Sequence, residues 1–203
     1  MALLGSLLTG ACSVVGIRSG TEEPAHTVIA RPAASVEIRS YAPRRAAETS
    51  VSGSANAARG EGFNRLAGYI FGGNQAKASI AMTAPVAQAG QRIAMTAPVT
   101  QAAGPDGWVV QFFLPAALAD PPQPNDARIR LTTVPAQTMA VLRFGGVANE
   151  AAIDARRSEL LAALAGSGWQ ADGDPVSWFY DPPWTLPPFR RNEVAVPVIA
   201  APG

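Results

Sequence analysis

The residues of this 203-residue chain that could do chemistry are few and far apart. It has one histidine, His26, and one cysteine, Cys12, so a nucleophile–histidine relay would have to use His26, and no paired zinc-ligand spacing occurs. No Gly-x-Ser-x-Gly elbow, phosphate loop or Gly-x-Gly-x-x-Gly fingerprint occurs. The carboxylate pair Glu22-Glu23 lies in a polar stretch and reads as solvated charge. What stands out is a heptapeptide written twice, Ile-Ala-Met-Thr-Ala-Pro-Val at Ile80–Val86 and again at Ile93–Val99. Its methionines, Met82 and Met95, carry thioethers that can ligate copper(I) or a porphyrin iron. Two thioethers with no third soft ligand or nearby histidine make a poor metal site, however, and methionine is also an adaptable filler of irregular cores. Core or pocket wall is therefore the reading for both. Trp108, Trp169, Trp178 and Trp184 read likewise as core or cleft lining. No catalysis is expected.

Composition narrows the partners. Sixteen basic and fifteen acidic residues, interspersed, give a net charge of +1, which leaves no electrostatic footprint for nucleic acid. A hydrophobic fraction of 48% with 15% charged residues is that of a globular chain with room for a sizeable core. The segment Met1 to Gly16 differs in kind. It is short, apolar and rich in small residues, and Thr9-Gly10-Ala11 before Cys12 resembles the cleavage and lipidation site of a bacterial lipoprotein. It departs from that pattern in having Thr9 where a leucine is expected and no Lys or Arg at its start. With one cysteine, no internal disulfide can form. Residues 1–25 are thus read as a lipoprotein-type signal and tether, with lipid on Cys12, and 26–200 as a single domain. Ser13 is compatible with outer-membrane sorting, so the expected location is the periplasmic side of a bacterial envelope.

The elements that must position any site follow from periodicity. His26–Arg31 and Ser35–Tyr41 read as strands around the Arg31-Pro32-Ala33 turn, and Arg44–Ser52 as a weaker third. Phe63, Leu66, Ala67, Ile70 and Phe71 fall on one helical face, predicting a helix over Asn56–Phe71 that stops at Gly72-Gly73. Gly60, Gly62 and Gly68 each cost this helix up to ~1 kcal/mol relative to alanine, so tertiary contacts or a ligand must hold it. Each copy of the repeat reads as a strand ended by its proline, Pro85 or Pro98, with Ala87 to Arg92 as the reversal between them. Trp108–Leu114, Arg128–Val134, Thr138–Phe144, Val176–Tyr180 and Glu193–Ile199 read as strands. Glu150 to Ala165 reads as a second helix capped by Asn149, with Ile153, Leu160, Leu161 and Leu164 buried. Strands, helix, strands occurs twice, which suggests two similar halves, 27–100 and 101–200, closing into one barrel-like unit.

Several stretches, taken together and in order, resemble the SOUL haem-binding protein family. They are Phe63-Asn64-Arg65-Leu66-Ala67-Gly68-Tyr69-Ile70-Phe71-Gly72-Gly73-Asn74, the doubled Met-Thr-Ala-Pro-Val, the strand from Trp108 to Pro115, Tyr180-Asp181-Pro182-Pro183-Trp184, and Arg190-Arg191-Asn192-Glu193-Val194. The resemblance covers about residues 26–200. It implies an α+β fold, a distorted antiparallel β-barrel of two pseudo-symmetric halves with one long helix each, akin to bacterial effector-binding domains. It also implies that haem or another porphyrin is bound in a shallow apolar cleft. By position, Arg59 and Arg65 are the candidates to meet the propionates, with Leu66, Tyr69 and Ile70 as an apolar platform; plain core packing is the competing account of Leu66 and Ile70. His26 does not match the position of the axial histidine proposed for some family members, so haem without a histidine ligand is expected. The implied function is a non-catalytic tetrapyrrole carrier, buffer or sensor. The alternative is a module of the same fold for another hydrophobic effector or a protein partner, without haem.

Overall fold

A computed structural model of the chain describes residues 21–91, 107–182 and 184–201. Cys12, the second heptapeptide copy and Met95 lie outside the described residues. Ten strands form one antiparallel sheet: β1 (His26–Ala33), β2 (Val36–Tyr41), β3 (Arg44–Ser52), β4 (Val86–Gln91), β5 (Gly107–Phe113), β6 (Ile129–Val134), β7 (Gln137–Phe144), β8 (Trp169–Ala171), β9 (Val176–Phe179) and β10 (Asn192–Ala200). Among the described residues two α-helices cover it, α1 (Ala55–Ile70) between β3 and β4 and α2 (Glu150–Leu164) between β7 and β8. The fold is α+β.

The strand order β1-β2-β7-β10-β9-β4-β5-β3-β6 carries the architecture. Reading outward from the β9–β4 pair, β9 matches β4, β10 matches β5, β7 matches β3 and β2 matches β6. Each half is therefore strand-strand-helix-strand-strand, and the halves interlock: β2 leaves its own half to pair with β7, while β6 pairs with β3. Register makes the symmetry specific. Ala87 lies opposite Trp178 and Ala89 opposite Val176, with Gln88 and Ser177 paired between them at the pseudo-twofold axis. The first half runs from β2 to β5 and the second from β6 to β10, so the Trp108 strand belongs to the first half and not to the second as the sequence suggests. The barrel is also open. The sheet curls, but its path ends at β1 and β6, which do not pair with each other.

Alternation assigns the two faces. Val36 and Ile38 of β2, Ala140 and Leu142 of β7, and Val194, Val196 and Val198 of β10 pack under α2 with Ile153, Leu160 and Leu164. Ala47 of β3 with Val110 and Phe112 of β5 pack under α1 with Leu66, Tyr69 and Ile70. The opposite, inner face holds a third cluster that includes Tyr41, Phe113, Met139, Trp178 and Tyr180. Helix starts are capped as their residue types dictate. Asn149 Oδ1 accepts from the Ala152 N–H at 2.9 Å, and Ser54, two residues before the sequence reading began the helix, accepts from Ala57.

The heptapeptide behaves differently from its reading. Ile80 to Pro85 is irregular, and the strand β4 begins at Val86, after the proline, running through the segment read as a reversal. Pro85 lacks an amide to donate, so it ends the loop and lets the ladder start one residue later. Val86 to Ala89 then pair on both sides, with β5 and with β9, and this double pairing overrides a turn-like composition.

Candidate functional site

The structure brings together some of the residues singled out above and separates others. Leu66, Tyr69 and Ile70 are buried in the core beneath α1, and the Tyr69 hydroxyl donates to the Pro122 carbonyl at 2.9 Å. They support the helix from below and offer solvent no apolar face. Met82 packs, half-buried, against the same core. Arg65 is tied down: its Nη1 donates to Thr49 Oγ1 (2.6 Å) and the Ser50 carbonyl (3.2 Å), and its Nη2 to Glu61. His26 lies on the inner face, its ring 5.1 Å from that of Tyr41, across the sheet from α1.

Arg59 is placed otherwise. From the second turn of α1 its guanidinium lies 4.3 Å from the Phe179 ring centroid. Its Nη2 donates to Asn56 Oδ1 at 2.6 Å and its Nη1 makes a long 3.4 Å bond to the Ala148 carbonyl. Burial, and then the positive charge of nearby Arg190, pull this group below the ordinary arginine value. A half-buried cation with a like charge beside it, and no carboxylate partner among the described residues, is stabilised by any anion that arrives.

The surroundings of Arg59 are apolar and exposed. The loop after β9 turns back on the β7–α2 connection, where the Gly146 N–H donates to the Pro187 carbonyl at 3.1 Å and Asn192 Nδ2 to the Gly146 carbonyl at 3.1 Å. This loop presents Trp184 (61% exposed), Leu186 and Phe189, and the adjoining connection presents Val147. Four large apolar side chains are thus exposed on two touching loops, one of which carries the Ala148 carbonyl that Arg59 reaches and the other Arg190. Exposed apolar side chains gathered on neighbouring segments mark an interaction site where scattered ones do not. Sequence reasoning missed Leu186, Phe189 and Val147. The available signal was three large apolar residues in a proline-rich segment that cannot be a strand.

The inner face carries a second feature, a charge cluster at the β2–β10 end. Arg39 donates to both oxygens of the fully buried Glu193, at 3.0 and 3.3 Å. The Tyr180 hydroxyl donates to the same carboxylate at 2.7 Å, Arg191 Nη2 donates at 2.9 Å, and Arg191 reaches on to Glu23. Burial, followed by the Glu193 charge, pushes the Tyr180 phenol far above its ordinary value. Every member is partnered, as a buried ion cluster requires. No group of three or more His, Cys, Asp or Glu among the described residues is arranged to hold a metal ion.

The profile of the SOUL heme-binding protein family matches residues 21–197. Heme-binding protein 1 of Xenopus laevis is 30% identical over 160 residues, 78% of this chain and 80% of that protein. Among solved structures, EcmrR in its DNA complex matches with a TM-score of 0.59 at 10% identity, over 82% of this chain and 57% of EcmrR. A hydrolase from Listeria innocua matches with a TM-score of 0.56 at 11% identity, over 81% of this chain and 91% of that one. At such identities the two structures speak to fold alone.

Proposed function

This chain belongs to the SOUL heme-binding protein family, and from that premise we propose that it binds haem or a related tetrapyrrole on the apolar surface beside Arg59. The observation that carries this reading is the juxtaposition of exposed Trp184, Leu186, Phe189 and Val147 with Arg59 and Arg190. A porphyrin presents a broad apolar plane and two propionates on one edge. The plane suits the apolar loops, and Arg59, whose existing bonds are a side-chain amide and a long carbonyl contact, suits a propionate. The bound porphyrin supplies an iron centre; this chain supplies orientation and exclusion of water. Leu66, Tyr69 and Ile70 hold α1 rigid beneath. Arg65, already tied to Glu61 and Thr49, keeps the helix on β3.

In this reading the protein is a non-catalytic carrier, buffer or sensor. Lipid on Cys12 would hold it at the bacterial envelope, facing the periplasm. Titrating hemin into the purified chain tests the binding: a saturable Soret shift at micromolar hemin is expected, and a weak, non-saturating change overturns it. Arg59→Glu and Trp184→Ala should each weaken binding at least tenfold, and unchanged affinity in both removes this surface from the site. A palmitate analogue should label the chain but not its Cys12→Ala variant, and equal labelling refutes the anchor.

A further inference from the structure

The inner face holds a cation with no carboxylate partner among the described residues, Arg44. Arg44 opens β3, and its counterpart under the pseudo-twofold is Gln137, which opens β7. The two meet across the axis, where Arg44 Nη2 donates to Gln137 Oε1 at 3.3 Å. The guanidinium carbon lies 4.3 Å from the Tyr41 ring centroid and 4.8 Å from that of Phe113. Its Nε and Nη1 are sealed from water with no acceptor among the described residues. Leaving two charged N–H groups unpaired is costly, and burial pulls the group below its ordinary value.

The carboxylates of the same face are already committed. Glu48 accepts from Gln111 (2.8 Å) and from Arg130, while Glu193 is held by Arg39, Arg191 and Tyr180. Arg44 also lines a cleft of about 270 Å³ whose walls include Phe113, Met139, Val176 and Trp178, with Gln111 and Thr132 as further polar groups. That volume falls just below the ~300–1,000 Å³ of typical ligand pockets. It suits a molecule of one or two rings and not a four-ring macrocycle. A cationic ligand would find no uncommitted carboxylate here, whereas an anionic one finds Arg44.

We propose that this cleft is a second binding site, separate from the α1 surface, for a small planar aromatic monocarboxylate. Its carboxylate displaces the long Gln137 bond and pairs with Arg44, and its ring lies against Trp178, Phe113 and Met139. Pairing through Nη2 is charge-assisted, and a planar guanidinium held against the Tyr41 and Phe113 rings keeps its donor aimed where a flexible ammonium would not, which favours arginine over lysine.

Calorimetric titration of 1-naphthoate, with the uncharged isostere 1-naphthamide as control, tests the site. The acid should bind at one per chain and at least tenfold more tightly than the amide. Arg44→Gln should erase that preference, Arg44→Lys should leave part of it, and Thr132→Trp, which fills the cleft, should abolish binding of both. Thermal melts confirm that each variant is folded. Should Arg44→Gln fail to fold, the preference in the parent chain and the cleft-filling variant still decide the matter. Equal affinity for acid and amide, no binding of the acid at millimolar concentration, or acid binding that survives both Arg44→Gln and Thr132→Trp overturns the proposal. Hemin affinity should be the same with and without 1-naphthoate. Competition between them would overturn the separateness of the two sites, and a failure of hemin to bind at all would leave the naphthoate result standing by itself.

Discussion

The two halves follow one path and are held by different means. In the first, α1 lies close on β5 because Gly62 places only hydrogen where a Cβ would come 2.6 Å from Val110 Cγ2. In the second, α2 stands on the full side chains of Ile153, Leu160 and Leu164. On the inner face the counterparts diverge again: Arg44 against Gln137, Phe113 against Pro197, and Val109 of β5 against Glu193 of β10. What the halves share is strand pairing, a property of the backbone. What they do not share is the chemistry at matched positions. One side of the axis holds a buried charge cluster in which every group is satisfied, and the other an arginine that is not. The satisfied cluster reads as structure and the unsatisfied cation as a receptor.

That contrast is broken most severely at Glu193. Glu193→Ala leaves Arg39, Arg191 and the Tyr180 hydroxyl without their shared acceptor. Removing one partner of a buried ion cluster costs about 3–5 kcal/mol, and urea denaturation should show a loss of that size. Val109→Ala at the matched position should cost a small fraction of it. Similar losses at the two sites would mean that the cluster is not what distinguishes the halves.

The next largest effect separates the two helices. Gly62→Ala in α1 drives a methyl into the fully buried Val110, whose branched side chain has no flexible end to move. Overpacking costs about 1–3 kcal/mol, against a helix-propensity gain of up to ~1 kcal/mol, so the net change in the melt should be destabilising. A neutral or stabilising result would mean that α1 can ride up off β5, and that the close approach is not built in.

The tyrosines sharpen the comparison through pH. Tyr180 and Tyr41 both have phenols raised by burial. Between the unfolded and folded values the unfolded chain has released the proton and the native chain has kept it, so native stability is complete below about pH 10 and falls above it. The slope should approach 1.4 kcal/mol per pH unit for each phenol at most. Tyr180→Phe should flatten the fall measured between pH 10 and 11. A curve that stays as steep in that variant would assign the fall to other groups.

How much of this was open to inspection in the sequence depends on the distance over which each feature is decided. Leu66 and Ile70 of the α1 stripe, Ile153, Leu160 and Leu164 of α2, and the Asn149 cap are local, and they appear where periodicity and residue type place them; Phe71 and Leu161, read as part of the same stripes, are instead exposed at the stripe edges. β4 is not local. Val86 to Gln91 carries one β-branched residue and a glycine, and it is a strand because β5 and β9 flank it. The exchange of β2 and β6 between halves is likewise invisible, since no residue in either strand names its partner. For the site, family resemblance led to Arg59 and to the helix around it. It could not show that Leu66, Tyr69 and Ile70 spend their surfaces on β3 and β5, or that Leu186 and Phe189 are left outside. Nothing in the sequence marks Arg44, because its lack of a carboxylate partner is a fact about Glu48 and Glu193, each of which is bound to something else.

The smallest effect bears on why α1 holds three glycines at all. A Cβ at Gly60 or Gly68 would meet no atom within 4 Å, and neither glycine has a positive φ. Packing therefore demands glycine only at Gly62. Replacing Gly60 or Gly68 by alanine should stabilise the helix by up to ~1 kcal/mol, through lower backbone entropy in the unfolded chain and better helix propensity. Gly60 adjoins Arg59, whereas Gly68 lies two turns further along. If Gly60→Ala raises the melting temperature but weakens hemin binding, while Gly68→Ala raises it and leaves hemin affinity alone, then Gly60 keeps the helix surface low for a flat ligand. If neither substitution alters hemin affinity, the two open glycines have no part in binding, and the difference between α1 and α2 reduces to Gly62 and Val110.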